Sequence, residues 1–150
     1  MLRKIKLFWG LPNDEKRLFF EAFFLLGLMR ALILTVSFKR LTKALTHAPD
    51  HIDQAGLSDS QRHTAQTIGR IISKAAHNTP WESSCLTQVL TAQKMLSIRN
   101  IPGVFFLGAK LGGTGKEELE AHAWTQCDNL IITGEAGHEL FRVLSAYRWD

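Results

Sequence analysis

Cys85 stands at the head of a helix-like run in Ser84-Cys85-Leu86, and thirty-seven residues later His122 sits in the strand-like phrase Ala121-His122-Ala123-Trp124. A thiol and an imidazole distant in sequence are the components of cysteine-nucleophile chemistry, in which the sulfur attacks a carbonyl and the ring carries the proton. The first turn of a helix has unpaired N–H groups and the positive end of the macrodipole, so it favours a thiolate and offers donors to an oxyanion. An isolated cysteine followed by leucine reads as a small buried hydrophobe. The strand-borne histidine is what turns the reading toward catalysis.

An imidazole that swings freely is a poor base, so His122 needs an acceptor to orient it. If Asp128-Asn129 is a two-residue hairpin turn, Cys127 faces Leu130 and the continued register sets His122 opposite Glu135 on one face of the sheet. Glu135 is therefore the candidate third member, in competition with Asp128, Gln126, a backbone carbonyl, and its own plainer role as a solvated carboxylate. Trp124 shares the strand face of His122, where it either walls a substrate-binding site or simply packs. The other histidines, His47, His51, His63, His77 and His138, show no convergent spacing and are assigned to the surface. Without a Cys-x-x-Cys or His-Glu-x-x-His pattern, neither a metal nor a cofactor is expected. Gly112-Gly113-Thr114-Gly115-Lys116 fails as a phosphate-binding loop, because Glu117 follows the lysine and Lys110 stands where the first glycine belongs; a flexible flap is the simpler reading.

The elements that must position these groups follow from pattern. Pro12-Asn13-Asp14-Glu15 supplies a cap and an acidic first turn for a long helix from Lys16 to about Val36. Glu21 and Arg30 interrupt its apolar run, leaving a stretch too short for a membrane span. Apolar residues occupy nearly every face of this helix, which points to core packing, with docking on a membrane surface or a protein partner as alternatives. A short helix from Phe38 to about Leu45 comes next, then a linker over His47 to Asp59. Helical spacing of Ala65, Ile68, Ile71, Ile72 and Ala75 gives a third helix ending before Pro80, and Ser83 or Ser84 caps a fourth that contains Cys85 and ends near Arg99-Asn100. Beyond Gly103 the period becomes that of strands: Val104–Ala109, a hairpin of Leu119–Cys127 with Leu130–Thr133, and a tail from Leu140 to Trp149 in which a strand competes with a short helix. The fold class is α+β, with residues 1–58 a helical extension and 59–150 the catalytic core.

At 150 residues and 45% hydrophobic content the chain can bury one ordinary core. The net charge of +4 is concentrated in the first half, at Arg3, Lys4, Lys6, Lys16, Arg17, Lys39, Arg40 and Lys43. Such a bias suits an acidic peptide, a partner protein or an anionic membrane, or is a solvated basic face; no nucleic-acid-binding signature accompanies it. The two cysteines, Cys85 and Cys127, read as free thiols rather than a disulfide, and no signal peptide is apparent, so a cytoplasmic location is expected.

The helix-borne Cys followed by a strand-borne His matches the arrangement of papain and the transglutaminases. More specifically, Pro80-Trp81, Ser84-Cys85-Leu86, Arg99-Asn100-Ile101-Pro102 and Glu120-Ala121-His122-Ala123-Trp124, preceded by Leu11-Pro12-Asn13-Asp14-Glu15-Lys16-Arg17-Leu18, resemble the stand-alone transglutaminase-like B proteins of lasso peptide biosynthesis. The resemblance implies a cysteine protease that removes the leader from a precursor peptide and hands the core to a lasso macrocyclase, with a separate leader-recognition protein acting in trans. It carries over Cys85 as nucleophile and His122 as general base. The acidic residue usual in that family, twelve positions after the histidine, falls here on Gly134. The alternatives are a transglutaminase-type acyl-transferase and a noncatalytic precursor-binding scaffold.

Overall fold

The computed structural model describes residues 8–48, 56–112 and 118–150. The first long helix, α1 (Asn13–Thr35), follows Pro12, whose fixed φ suits a helix start, and carries Asp14 and Glu15 in its first turn. It buries fully only Ala22 and Leu26, while Leu18, Phe19, Leu25, Met29 and Ile33 pack partly against the same core. Three of the charged residues within or beside its apolar run are tied back to the body of the protein: Glu15 to Arg70, Glu21 to Arg99 and Arg30 to Glu82. Core packing thus accounts for one side of α1, and Phe20, Phe24, Leu28 and Leu34 remain exposed.

A four-residue helix, α2 (Phe38–Leu41), is shorter than its sequence suggests. Overlapping the start of the expected linker, Thr46–Ala48 forms a strand, β1, paired antiparallel with the last strand, β5 (Arg142–Trp149). Three residues carry too little alternation to announce a strand, and only the pairing with β5 makes it one. Pro49, Asp50, His51 and Asp53 of that linker lie outside the described residues, as do Arg3, Lys4 and Lys6.

Helix α3 (Asp59–Ala76) starts at a capping box, in which the Ser58 hydroxyl accepts from the Gln61 N–H and the Gln61 side chain accepts from the Ser58 N–H. Its apolar face, Ala65, Ile68, Ile71, Ile72 and Ala75, is fully buried. Helix α4 (Cys85–Ile98) buries Val89, Leu90, Ala92, Met95 and Leu96. These helices cover a five-stranded antiparallel sheet of order β1-β5-β2-β3-β4, where β2 is Gly103–Leu111, β3 Leu119–Cys127 and β4 Leu130–Thr133. The tail is therefore a strand, held between β1 and β2, after a single 3-10 turn at His138–Leu140. The architecture is α+β, with helices first and the sheet after.

Period-two alternation divides the sheet into two faces. Phe105, Ala123, Cys127 and Trp149 enter the main core with the helices. Val104 and Ala146 form a smaller cluster with Phe106. The loop joining β2 to β3 is closed by Gly112 N–H donating to Glu118 O at 2.8 Å, and the expected flap at Gly113, Thr114, Gly115, Lys116 and Glu117 lies outside the described residues.

Candidate active site

The loop before α4 is fixed by hydrogen bonds. Thr79 Oγ1 lies 3.0 Å from Ala76 O, 3.0 Å from Trp81 O and 2.8 Å from Ser83 Oγ, while Gln88 Nε2 donates to Ser83 O at 3.0 Å. Ser84 is the N-cap of α4: its hydroxyl accepts from the Thr87 N–H, and its carbonyl accepts from the Gln88 N–H. Cys85 is consequently the first residue of the helix, half-buried against the core. The N–H groups of Cys85 and Leu86 have no acceptor among the described residues, and they are the ones a helix start leaves free. Cys127, by contrast, is fully buried, and burial pushes its thiol up to about 12. The two cysteines are both free.

His122 lies on β3 opposite Gly108 of β2. Its ring packs 5.0 Å from Phe141 and stacks on Trp124 at 5.9 Å, and its Nε2 is 2.7 Å from the carbonyl oxygen of Gly134. A carbonyl only accepts, so the proton of this bond is on Nε2 and Nδ1 is left as the basic nitrogen. The acceptor is thus a backbone carbonyl. It belongs to Gly134, the position on which the resemblance drawn from the sequence would set an acid.

The hairpin explains this outcome. Cys127 pairs with Leu130 and Gln126 with Ile131, as the two-residue turn requires, but a bulge then sets Thr125 opposite Thr133. The register that would have paired His122 with Glu135 is displaced by one residue, and the ladder ends at Thr133. Ile132 is the extra residue. Its carbonyl meets α3 so closely that a Cβ added at Gly69 would lie 2.3 Å from the oxygen. Gly134 then turns the chain at φ +74°, where an added Cβ would come within 2.4 Å of Ala123 O. No side chain fits there, aspartate included.

The other expected acceptors are used elsewhere. Gln126 donates to Asp128 O at 2.8 Å, and Asp128 and Asn129 are both gripped by the Arg62 guanidinium. Asp128 is six residues along the strand from His122, about 20 Å at 3.4 Å per residue. The Glu135 carboxylate is exposed and forms no hydrogen bond or ion pair with the described residues. Trp124 is buried, enclosed by Phe106, His122 and His138. His138 is not a free surface residue: its ring lies tilted against Trp124, centres 5.6 Å apart, and its Nδ1 lies 2.7 Å from Glu135 O.

No hydrogen bond joins the Cys85 sulfur to the His122 ring. Such contacts are commonly long in a free enzyme and tighten with substrate. A cleft of about 350 Å³ opens among α3, α4 and the end of β4, and neither Cys85 nor His122 lines it. Gln88, one helical turn on from Cys85, lines it from α4; Thr133, Gly134 and Glu135 line it from the end of β4; Gly69, Arg70 and Ser73 line it from α3. The sequence allowed a backbone carbonyl as the acceptor for His122 but could not single out that of Gly134, which acts through placement rather than residue type.

Residues 28–146 match the family model described as the transglutaminase-like superfamily, a span running from the second half of α1 into β5. No curated protein and no solved structure matches the chain.

Proposed function

We propose that this chain, which belongs to the transglutaminase-like superfamily, is a cysteine peptidase that removes the leader from a lasso peptide precursor, with Cys85 as nucleophile and His122 as general base. The observation that carries the chemistry is the free helix start at Cys85 combined with a histidine whose Nε2 is already committed to Gly134 O. The choice of substrate rests on the resemblance of the Pro80-Trp81, Ser84-Cys85-Leu86 and Glu120–Trp124 motifs to the B proteins of lasso peptide biosynthesis.

In the reaction His122 Nδ1 takes the thiol proton, and Cys85 Sγ attacks the carbonyl carbon of the scissile peptide. The oxyanion forms beside the N–H groups of Cys85 and Leu86. His122 returns the proton to the leaving amine as the C–N bond breaks, leaving a thioester on Cys85. Water then attacks that thioester with His122 again as base, releasing the leader as a carboxylic acid and restoring the thiol. The freed amine end of the core peptide passes to a macrocyclase. A separate leader-recognition protein raises the local concentration of precursor at this site.

The test is mass spectrometry of precursor incubated with this protein and the leader-recognition protein. Wild type is expected to give leader and core, and Cys85→Ala neither. Leader joined through its new C-terminal carbonyl to an added primary amine would assign the acyl-transferase reaction instead, and unchanged processing by Cys85→Ala would leave only a scaffold role.

A further inference from the structure

The outer side of α1 is apolar without a covering element. Phe20, Phe24, Leu28 and Ala31 follow one another at spacings that place them on one helical face, all exposed, with Leu34 beside them. Phe24 and Leu34 are 70% and 67% exposed. A continuous row of large exposed hydrophobes is a contact surface, unlike scattered single ones.

Charge at the two ends of the row identifies what it contacts. Arg17 lies on the same face, just before Phe20, and Lys39, Arg40 and Lys43 are exposed immediately after α1. Of the acidic residues in residues 8–48, Glu15 and Glu21 are paired with arginines, which leaves Asp14. Trp9 is exposed beside this end, with Lys16 Nζ 5.6 Å from its ring centre. The surface is therefore basic, apolar, then basic again along the helix. A second copy of the chain is a poor occupant, since antiparallel apposition sets Arg17 against Lys39 and Arg40, and parallel apposition sets each basic end on its twin.

We propose that α1 seats this protein on an anionic phospholipid bilayer, lying in the plane of the interface with Phe20, Phe24 and Leu28 in the acyl region and Arg17, Lys39, Arg40 and Lys43 at the phosphates. The helix does not cross the bilayer, although its 23 residues are long and apolar enough to do so. Crossing would pull Ala22 and Leu26 out of the core and break the Glu21–Arg99 and Arg30–Glu82 pairs.

The experiment is co-sedimentation of the whole chain with vesicles of phosphatidylcholine alone and of phosphatidylcholine containing phosphatidylglycerol. Binding is expected to the anionic vesicles and to weaken with added salt. Phe24→Glu is expected to lower the bound fraction at least about tenfold, the effect of unseating one aromatic; Arg17→Glu is the second variant. Circular dichroism of both should match wild type, and cleavage of precursor in solution should be retained by both, which separates this surface from the peptidase reading. Failure of wild type to bind the anionic vesicles, or equal binding by wild type and both variants, overturns the proposal. A concentration-dependent dimer or capture by an acidic protein, with no vesicle binding, overturns it too and reassigns the face.

Discussion

The ring of His122 hangs on the backbone carbonyl of Gly134, with Nε2 and O 2.7 Å apart. A main-chain oxygen thus does what a carboxylate does in an acid-containing triad: it fixes the tautomer and the ring plane, without adding a full negative charge. The bond depends on glycine, because φ at 134 is +74° and an added Cβ would crowd Ala123 O at 2.4 Å. Gly134→Asp is therefore expected to destroy the site rather than complete it. Left-handed strain alone costs about 1–2 kcal/mol, so a urea midpoint below wild type should accompany loss of cleavage; a variant of unchanged stability with raised turnover would refute this.

Glu135 provides the complementary test. Its carboxylate is exposed and unpaired among the described residues, so Glu135→Gln should cleave precursor at close to the wild-type rate. His122→Ala should fall by about a hundredfold or more, the loss of a general acid–base group. If Glu135→Gln instead falls as far as His122→Ala, the carboxylate reaches the ring during turnover and the triad acid is Glu135 after all.

How far the chain could be read from its residues depended on whether the deciding interaction was local. Ser84, one of the two caps the sequence offered, announced its helix because a cap acts within three residues, and the Asp128-Asn129 turn fixed its own two flanking pairs. The bulge at Ile132 was not legible: it is associated with the close approach of α3 at Gly69, sixty-odd residues away. That one-residue displacement is what separates Glu135 from the position opposite His122. Strand β1 was missed for the same reason, since its identity lies in β5. The apolar run of α1 suggested burial, yet the exposed row on its outer side appears only once the packed side is known.

Chemical reactivity should separate the two thiols. Burial pushes Cys127 up to about 12, whereas Cys85 is half-exposed at a helix start. Iodoacetamide at pH 8 is expected to label Cys85 alone and abolish cleavage, with Cys127 becoming reactive only after denaturation. The same burial predicts the sign of a pH effect. Cys127 ionises in the unfolded chain near the ordinary 9.0, but not in the folded one until about 12. Its contribution is therefore complete below pH 9 and is lost as pH rises between those values. In urea titrations, Cys127→Ala should remove that alkaline component; an unchanged slope above pH 9 would count against it.

The last prediction concerns the anchoring of α1. Arg99 makes two hydrogen bonds to the Glu21 carboxylate, at 2.8 and 2.7 Å, and a third to Met95 O at 2.8 Å, joining the first helix to the end of α4. Both side chains are roughly three-quarters covered. The Glu21 carboxylate beside it raises the Arg99 guanidinium above its ordinary range, so truncating one partner leaves the other half-buried and unpaired. Glu21→Ala is expected to destabilise by about 2 kcal/mol, while Glu82→Ala, which removes the exposed partner of Arg30, should cost less than about 1 kcal/mol. Urea denaturation of the two variants checks the order. Equal losses would mean that the Glu21–Arg99 pair contributes no more than a surface contact and that α1 is held mainly by its apolar packing around Ala22 and Leu26.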